Sequence, residues 1–197
     1  MAALKLFMLL LGARPKGRYT EQHDIFFGIG SAIKDLIPDI KKSWPEAKSG
    51  IHIDAWREVT CADGYYIQVK ESRLLTMPGD SRKEQNLFFI NLGGYKEHEF
   101  EEFHYKMLAV ADNIDIAKSI AKKTAFYKHT SLAKSATAHR ATAHIDDKYG
   151  IDVDDMYAVE DILPANVKGK YTIMLLPEAA CTEDIIHLGY LPLSDVR

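Results

Sequence analysis

Cysteine is scarce in this chain: Cys61 and Cys181 are the only two in 197 residues. No C-x-x-C occurs and no Cys/His set has zinc spacing, so no thiolate zinc module is encoded, and a disulfide between the two is the less favoured alternative to free thiols. Two thiols in a reducing compartment are the expectation. An excess of one charge is also missing. Lys and Arg number 25 against 28 Asp and Glu, a formal net charge of −3. A nucleic-acid binder would carry a basic excess, so no nucleic-acid partner is expected. The N-terminal apolar run, Leu6 to Leu11, is far too short to span a bilayer. Only Lys5 precedes it and no small-residue cleavage site follows, so a secretory signal is not expected. A cytoplasmic protein with no membrane partner is expected, and the run reads as a buried strand. No P-loop, G-x-G-x-x-G fingerprint or EF-hand loop is present.

What the chain does have is an ordinary globular composition, 47% apolar and 27% charged. At this length it can bury roughly 70% of its unfolded surface. It also has internal self-similarity. Leu6-Phe-Met-Leu-Leu-Leu-Gly12 matches Leu87-Phe-Phe-Ile-Asn-Leu-Gly93, and Glu21-Gln-His23 falls on Glu102-Phe-His104 at the same offset of 81. Gly50-Ile-His52-Ile-Asp54 matches Gly150-Ile-Asp152-Val-Asp154 at an offset of 100, and Gly64-Tyr-Tyr66 matches Gly169-Lys-Tyr171 at 105. Four matches in one order, with a growing offset, indicate a repeat with two insertions in its second copy.

Each copy reads as a βαββ unit, giving an α+β fold by tandem duplication with helices packed on mixed β-sheet. In the first copy, residues 4–11 form a strand. Phe26, Ile29, Ile33, Ile40 and Trp44 then recur every three or four residues as a helical stripe behind a Thr20 cap, although Gly28 and Gly30 cost helix propensity. Ile51–Val59 and Tyr65–Val69 are strands, with a turn at Cys61–Gly64. The first strand and the one after the helix are expected to run parallel through a crossover. In the second copy Leu87–Leu92 is a strand, Met107 to Ala121 a helical stripe, and Met156–Leu163 with Tyr171–Leu176 a hairpin. The longer insertion, Ser131 to Tyr149, reads as an extra helix ended by Gly150. The expected organisation is 1–72, 84–178, and a C-terminal tail 179–197 that packs on the body or forms a short strand.

The segments LFMLLLGARPKG, EQHD, GIHIDAWREV and HIDDKYGIDVDD together resemble a bacterial family described as a domain of unknown function, whose members carry one or two copies of the domain. The resemblance covers nearly the whole chain and implies a duplicated small domain. It brings no reaction, cofactor or catalytic residue with it.

Four groups of polar residues are candidates for chemistry. The segment Gly12 to Asp24 joins the first strand to the expected helix start. There, backbone N–H groups, the helix dipole and the cations Arg14, Lys16 and Arg18 would suit a phosphate or carboxylate; a solvated loop with local ion pairs is the plainer reading. The equivalent loop in copy two is acidic, so the two loops would pair across a pseudo-twofold axis or between two molecules of a dimer. The repeated Glu-x-His, Glu21/His23 and Glu102/His104, would ligate a divalent metal if the fold brought the pairs together. On one helix, however, residues two apart do not share a face, and a helix-capping carboxylate with a histidine hydrogen-bonded to the neighbouring loop is the plainer reading. His52 and Asp54 share a strand face and form a workable general-base pair, with a structural hydrogen bond as the plainer role. His144, Asp146, Asp147, Asp152, Asp154 and Asp155 offer oxygens to a hard cation, or are simply solvated.

The resulting reading is a protein that binds a small molecule or anion at the strand-to-helix loop of the first copy, a small anionic ligand being the expected partner. Arg14, Lys16, Arg18, His52, Asp54 and His104 are its binding residues, and Glu21 and His23 its proton-transfer residues. No residue is assigned to a metal, the cofactor is left open, and so is whether the chain is an enzyme. The second reading is a non-catalytic homodimeric interaction module. The third is a divalent-metal enzyme with its site between the repeats.

Overall fold

The computed structural model describes residues 3–47, 50–72, 85–95, 98–123, 151–178 and 180–197. The expected inserted helix, Ser131 to Tyr149, and nearly all of the linker between the copies fall outside them. In chain order the elements are β1 (Lys5–Ala13), β2 (Gln22–Gly30), α1 (Ile37–Ser43), β3 (His52–Glu58), β4 (Cys61–Ala62), β5 (Tyr65–Glu71), β6 (Asn86–Tyr95), β7 (Glu102–Ala111), α2 (Ile114–Lys123), β8 (Ile151–Ala158), β9 (Tyr171–Pro177) and β10 (His187–Pro192). A 3-10 turn, Ile33–Leu36, leads into α1. The fold is mixed α+β, with few helices and several antiparallel sheets. Two compact units are formed, Met1–Lys83 with Val159–Arg197, and Glu84–Ala158.

In the first unit, β1 is the spine of a four-stranded sheet ordered β10-β3-β1-β2. Both β2 and β3 run antiparallel to β1, so they are parallel to each other with β1 between them. The crossover joining them carries α1. Leu9, Leu11, Phe26, Leu36, Ile40 and Ile53 form the core under that crossover. A second small sheet has the order β4-β5-β9. Its β4–β5 turn places Asp63 and Gly64 at φ 48° and 76°, the positive-φ pair that a tight Asp-Gly hairpin requires. The second unit holds the sheet β7-β6-β8 with α2 against it. Phe88, Ile90, Leu92, Met107, Ala109 and Ala117 are among its core.

Several expectations are corrected. The helical stripe from Phe26 begins on a strand, β2, and α1 is only seven residues long. Phe26 to Gly30 is buried throughout, so no period-2 alternation marks it as a strand. Gly28 and Gly30 are not defects of a helix. They are positions where the Ile33–Leu36 turn lies flat on the sheet, since a Cβ on either would crowd Leu36. Met107–Ala111 is likewise the end of a strand, and the helix starts only at Ile114, where Asn113 Oδ1 accepts a hydrogen bond from Ile116 N at 3.0 Å. Each unit therefore begins as a hairpin followed by a helix, and β1 and β3 are antiparallel rather than parallel.

Tyr171–Leu176 does not form a hairpin with the strand before it. β9 pairs with β5 in the first unit, Tyr65 opposite Pro177 through Glu71 opposite Tyr171, and residues from Val159 onward belong to that unit. The tail does form a strand, β10, on the edge beside β3. Cys61 and Cys181 are not two thiols but a disulfide, with Cα atoms 5.9 Å apart, so the case for a reducing compartment lapses. Beyond it, the carboxylate of Asp184, only 1% exposed, accepts hydrogen bonds from Thr60 N (2.9 Å), Thr60 Oγ1 (2.6 Å) and Cys61 N (3.2 Å). Among the described residues no helix is long and apolar enough to cross a membrane.

Candidate functional site: a donor cluster over a glycine

The first unit's candidate site is built where β1, β2 and β3 run side by side. Gly12 on β1 is in register with His23 on one neighbour and His52 on the other. The three positions therefore lie on one face, with no side chain at the centre. A bulge completes the arrangement. Leu10 pairs with Ala55 and Leu11 with Ile53, leaving Asp54 as the extra residue, which turns its carboxylate over Gly12. The glycine is required: a Cβ there would overlap Asp54 Oδ2 and His52 Nε2. Glu21, two residues before His23, reaches in from the start of β2.

The donor atoms converge. His52 Nε2 lies 2.8 Å from Glu21 Oε1 and 3.3 Å from Asp54 Oδ1, and His23 Nε2 lies 3.2 Å from Asp54 Oδ2. One donor each from Glu21, His52 and Asp54 lies within 4.8 Å of the others. His52 is 5% exposed, and its Nδ1 is 3.3 Å from the Gly50 carbonyl oxygen. Donation from Nδ1 to that carbonyl leaves the Nε2 lone pair facing two carboxylates. Despite the short distances, His52 Nε2 and Asp54 Oδ2 are buried without a hydrogen bond. These atoms share one hollow with the Glu21 carboxylate. Tyr190, from β10, covers the outer side of the His52 ring, with centroids 4.3 Å apart.

The second unit repeats the geometry. Gly93 on β6 is in register with His104 on β7 and Asp152 on β8. Asp154 is the extra residue of a bulge between Asn91 and Leu92, and a Cβ on Gly93 would overlap its carboxylate. His104 Nε2 lies 3.0 Å from Asp154 Oδ2 and 4.0 Å from Glu102 Oε2.

The structure thus brings Glu21, His23, His52 and Asp54 together, and assembles His104 into an equivalent cluster within the other unit. It does not bring in Arg14, Lys16 or Arg18. These stand exposed on the β1–β2 loop, which joins two strands and offers no helix N-terminus to an anion. Sequence reasoning missed Tyr190, which carries no motif. It also missed the role of Gly12 and Gly93, although their recurrence in both copies was the available signal.

An α+β protein with a His/carboxylate cluster on each of two antiparallel sheets is therefore the class defined by fold and site. Residues 18–69 match a domain of unknown function, DUF1543, a stretch that contains all four donors of the first unit. The crystal structure of a protein Il1583 from Idiomarina loihiensis is similar over 96% of this chain and 98% of its own, with a TM-score of 0.63 at 23% identity, a likeness of fold. No curated protein matches.

Proposed function

We propose that the chain is a metal-dependent protein whose first unit holds a divalent cation on Glu21, His52 and Asp54. The observation that carries this reading is the His52 imidazole. It is buried, its Nδ1 is tied to a backbone carbonyl, and its Nε2 faces two carboxylate oxygens without a hydrogen bond. A cation at the point of convergence removes the electrostatic cost of that arrangement. The carbonyl-bound Nδ1–H is the outer-shell contact that orients ligating histidines.

Mixed imidazole and carboxylate donors suit zinc, iron or manganese. Three protein donors leave coordination positions open, as catalytic rather than structural ions require. Glu21 and His23 have side chains 46% exposed, so the open side is reachable from solvent. His23, beside Asp54 but outside the three-donor set, would accept a proton on the open side, where a bound cation would supply Lewis-acid chemistry. An anionic ligand would bind at the open position on the ion rather than on the loop cations. The recurring glycine, Glu-x-His and bulged aspartate support an origin by tandem duplication of a hairpin–helix–strand unit.

Isothermal titration of the metal-stripped full chain with Zn2+ tests the reading. His52→Ala is expected to weaken the tightest binding by more than the roughly 10–100-fold typical of outer-shell changes, and His23→Gln by about 10-fold. Unaltered binding in His52→Ala would refute it.

A further inference from the structure

We infer that the second unit carries its own cation site on Glu102, His104 and Asp154, with a lower preference for zinc over manganese than the first. This goes beyond the proposed function and uses different residues. Three observations carry it. The donor atoms of Glu102, His104 and Asp154 lie within 4.8 Å of one another. Asp154 is lifted out of strand register by a bulge at the position equivalent to that of Asp54. And Gly93, like Gly12, leaves a hollow that a Cβ would fill against that carboxylate. A surface ion pair between His104 and Asp154 needs neither the bulge nor the glycine. A cradle for an ion needs both, because the carboxylate must fold over the strand to reach a shared point.

The two sites differ at one register position. His52 stands opposite Gly12, whereas Asp152 stands opposite Gly93. Each three-donor set carries one imidazole, His52 or His104, but the first unit has a second imidazole, His23, beside its set on the other neighbour of the glycine, whereas the register positions flanking Gly93 hold His104 and Asp152. Fewer nitrogen positions favour harder ions. The second cluster is also wetter: the side chains of Glu102, His104 and Asp154 are 38%, 37% and 29% exposed, against 7% for His52. A weaker, faster-exchanging site follows.

The test is titration of the metal-stripped full chain with Zn2+ and separately with Mn2+, the latter read by the loss of the free-ion paramagnetic resonance signal. Wild type, His52→Ala and the double variant Glu102→Gln/His104→Ala are compared, with circular dichroism confirming the fold of each. The expected result is two Zn2+ per chain in a tight and a weak phase. The double variant loses only the weak phase, and the Zn2+/Mn2+ affinity ratio of that phase is at least about 10-fold below that of the tight phase. Loss of the weak phase in the double variant, with no phase lost in His52→Ala, would uphold this site while overturning the first. One ion per chain in wild type, a weak phase untouched by the double variant, or equal affinity ratios in both phases would overturn the inference.

Discussion

Asp54 and Gly12 share one hollow: the bulge in β3 lays the aspartate carboxylate over the glycine, where no Cβ could fit beside it. Gly12→Ala is therefore expected to push apart Asp54 and His52 together. The predicted outcome is loss of tight metal binding with a destabilisation of about 1–3 kcal/mol, as for overpacked interiors. Gly50→Ala is the control. A Cβ there meets only the Ala47 carbonyl oxygen at 3.7 Å, an ordinary contact, so its cost stays below about 1 kcal/mol. Urea denaturation and zinc titration of the two variants check both statements.

Asp184 anchors the chain that leads to β10. It accepts from Thr60 N, Thr60 Oγ1 and Cys61 N in a buried setting. Asp184→Ala strands three donors at once, and a loss of about 3 kcal/mol is expected by chemical denaturation. Because β10 brings Tyr190 onto His52, the same variant is expected to raise the rate of zinc exchange, read by competition with a chromophoric chelator.

The Cys61–Cys181 disulfide closes a separation of 120 residues. Constraining the unfolded chain over such a loop is worth about 2–5 kcal/mol. Paired thermal scans with and without reductant should show a lower melting temperature in reductant. Thiol titration of the native protein should find no free thiol; two would contradict the pairing.

A pH prediction comes from Asp35. Its Oδ2 accepts from Ser31 Oγ (2.6 Å), Ser31 N (3.0 Å) and Ala32 N (3.0 Å). The Ser31 side-chain hydrogen bond, then the Ala32 amide and more weakly the Ser31 amide, holds the carboxyl below its usual value of 3.8 against an opposing burial effect. A depressed folded-state value means that the contribution is complete above the unfolded value and fades as pH falls through the folded one. Asp35→Asn should therefore be destabilising at neutral pH. The gap between variant and wild type should close as pH drops below about 3.8.

Much of this architecture was legible in the chain. The apolar runs gave β1, β3, β5 and β6, and Asp63-Gly64 gave the hairpin turn. Glu21, His23, His52, Asp54 and His104 all stood out by recurrence or spacing. What hid the site was β2. Its buried run Phe26–Gly30 lacks alternation, and its two glycines looked like helix defects because the turn packed on them is distant from any local rule. With β2 read as helix, Glu21 and His23 pointed to different faces and could not meet His52. The helix terminus on which the anion site was expected to rest is, for the same reason, the end of a hairpin loop. The disulfide, the Asp184 anchor and the Tyr190 contact join segments more than a hundred residues apart, and no periodicity encodes such pairings.

The central claim is that His52 Nε2 is a metal ligand. Anomalous diffraction at the zinc absorption edge, from crystals grown with Zn2+, tests it most directly. The account predicts a peak about 2.0–2.1 Å from His52 Nε2 and about 2.0–2.2 Å from a carboxylate oxygen of each of Glu21 and Asp54. No peak beside His52 at saturating zinc, with Nε2 instead donating a hydrogen bond to Glu21, would contradict it.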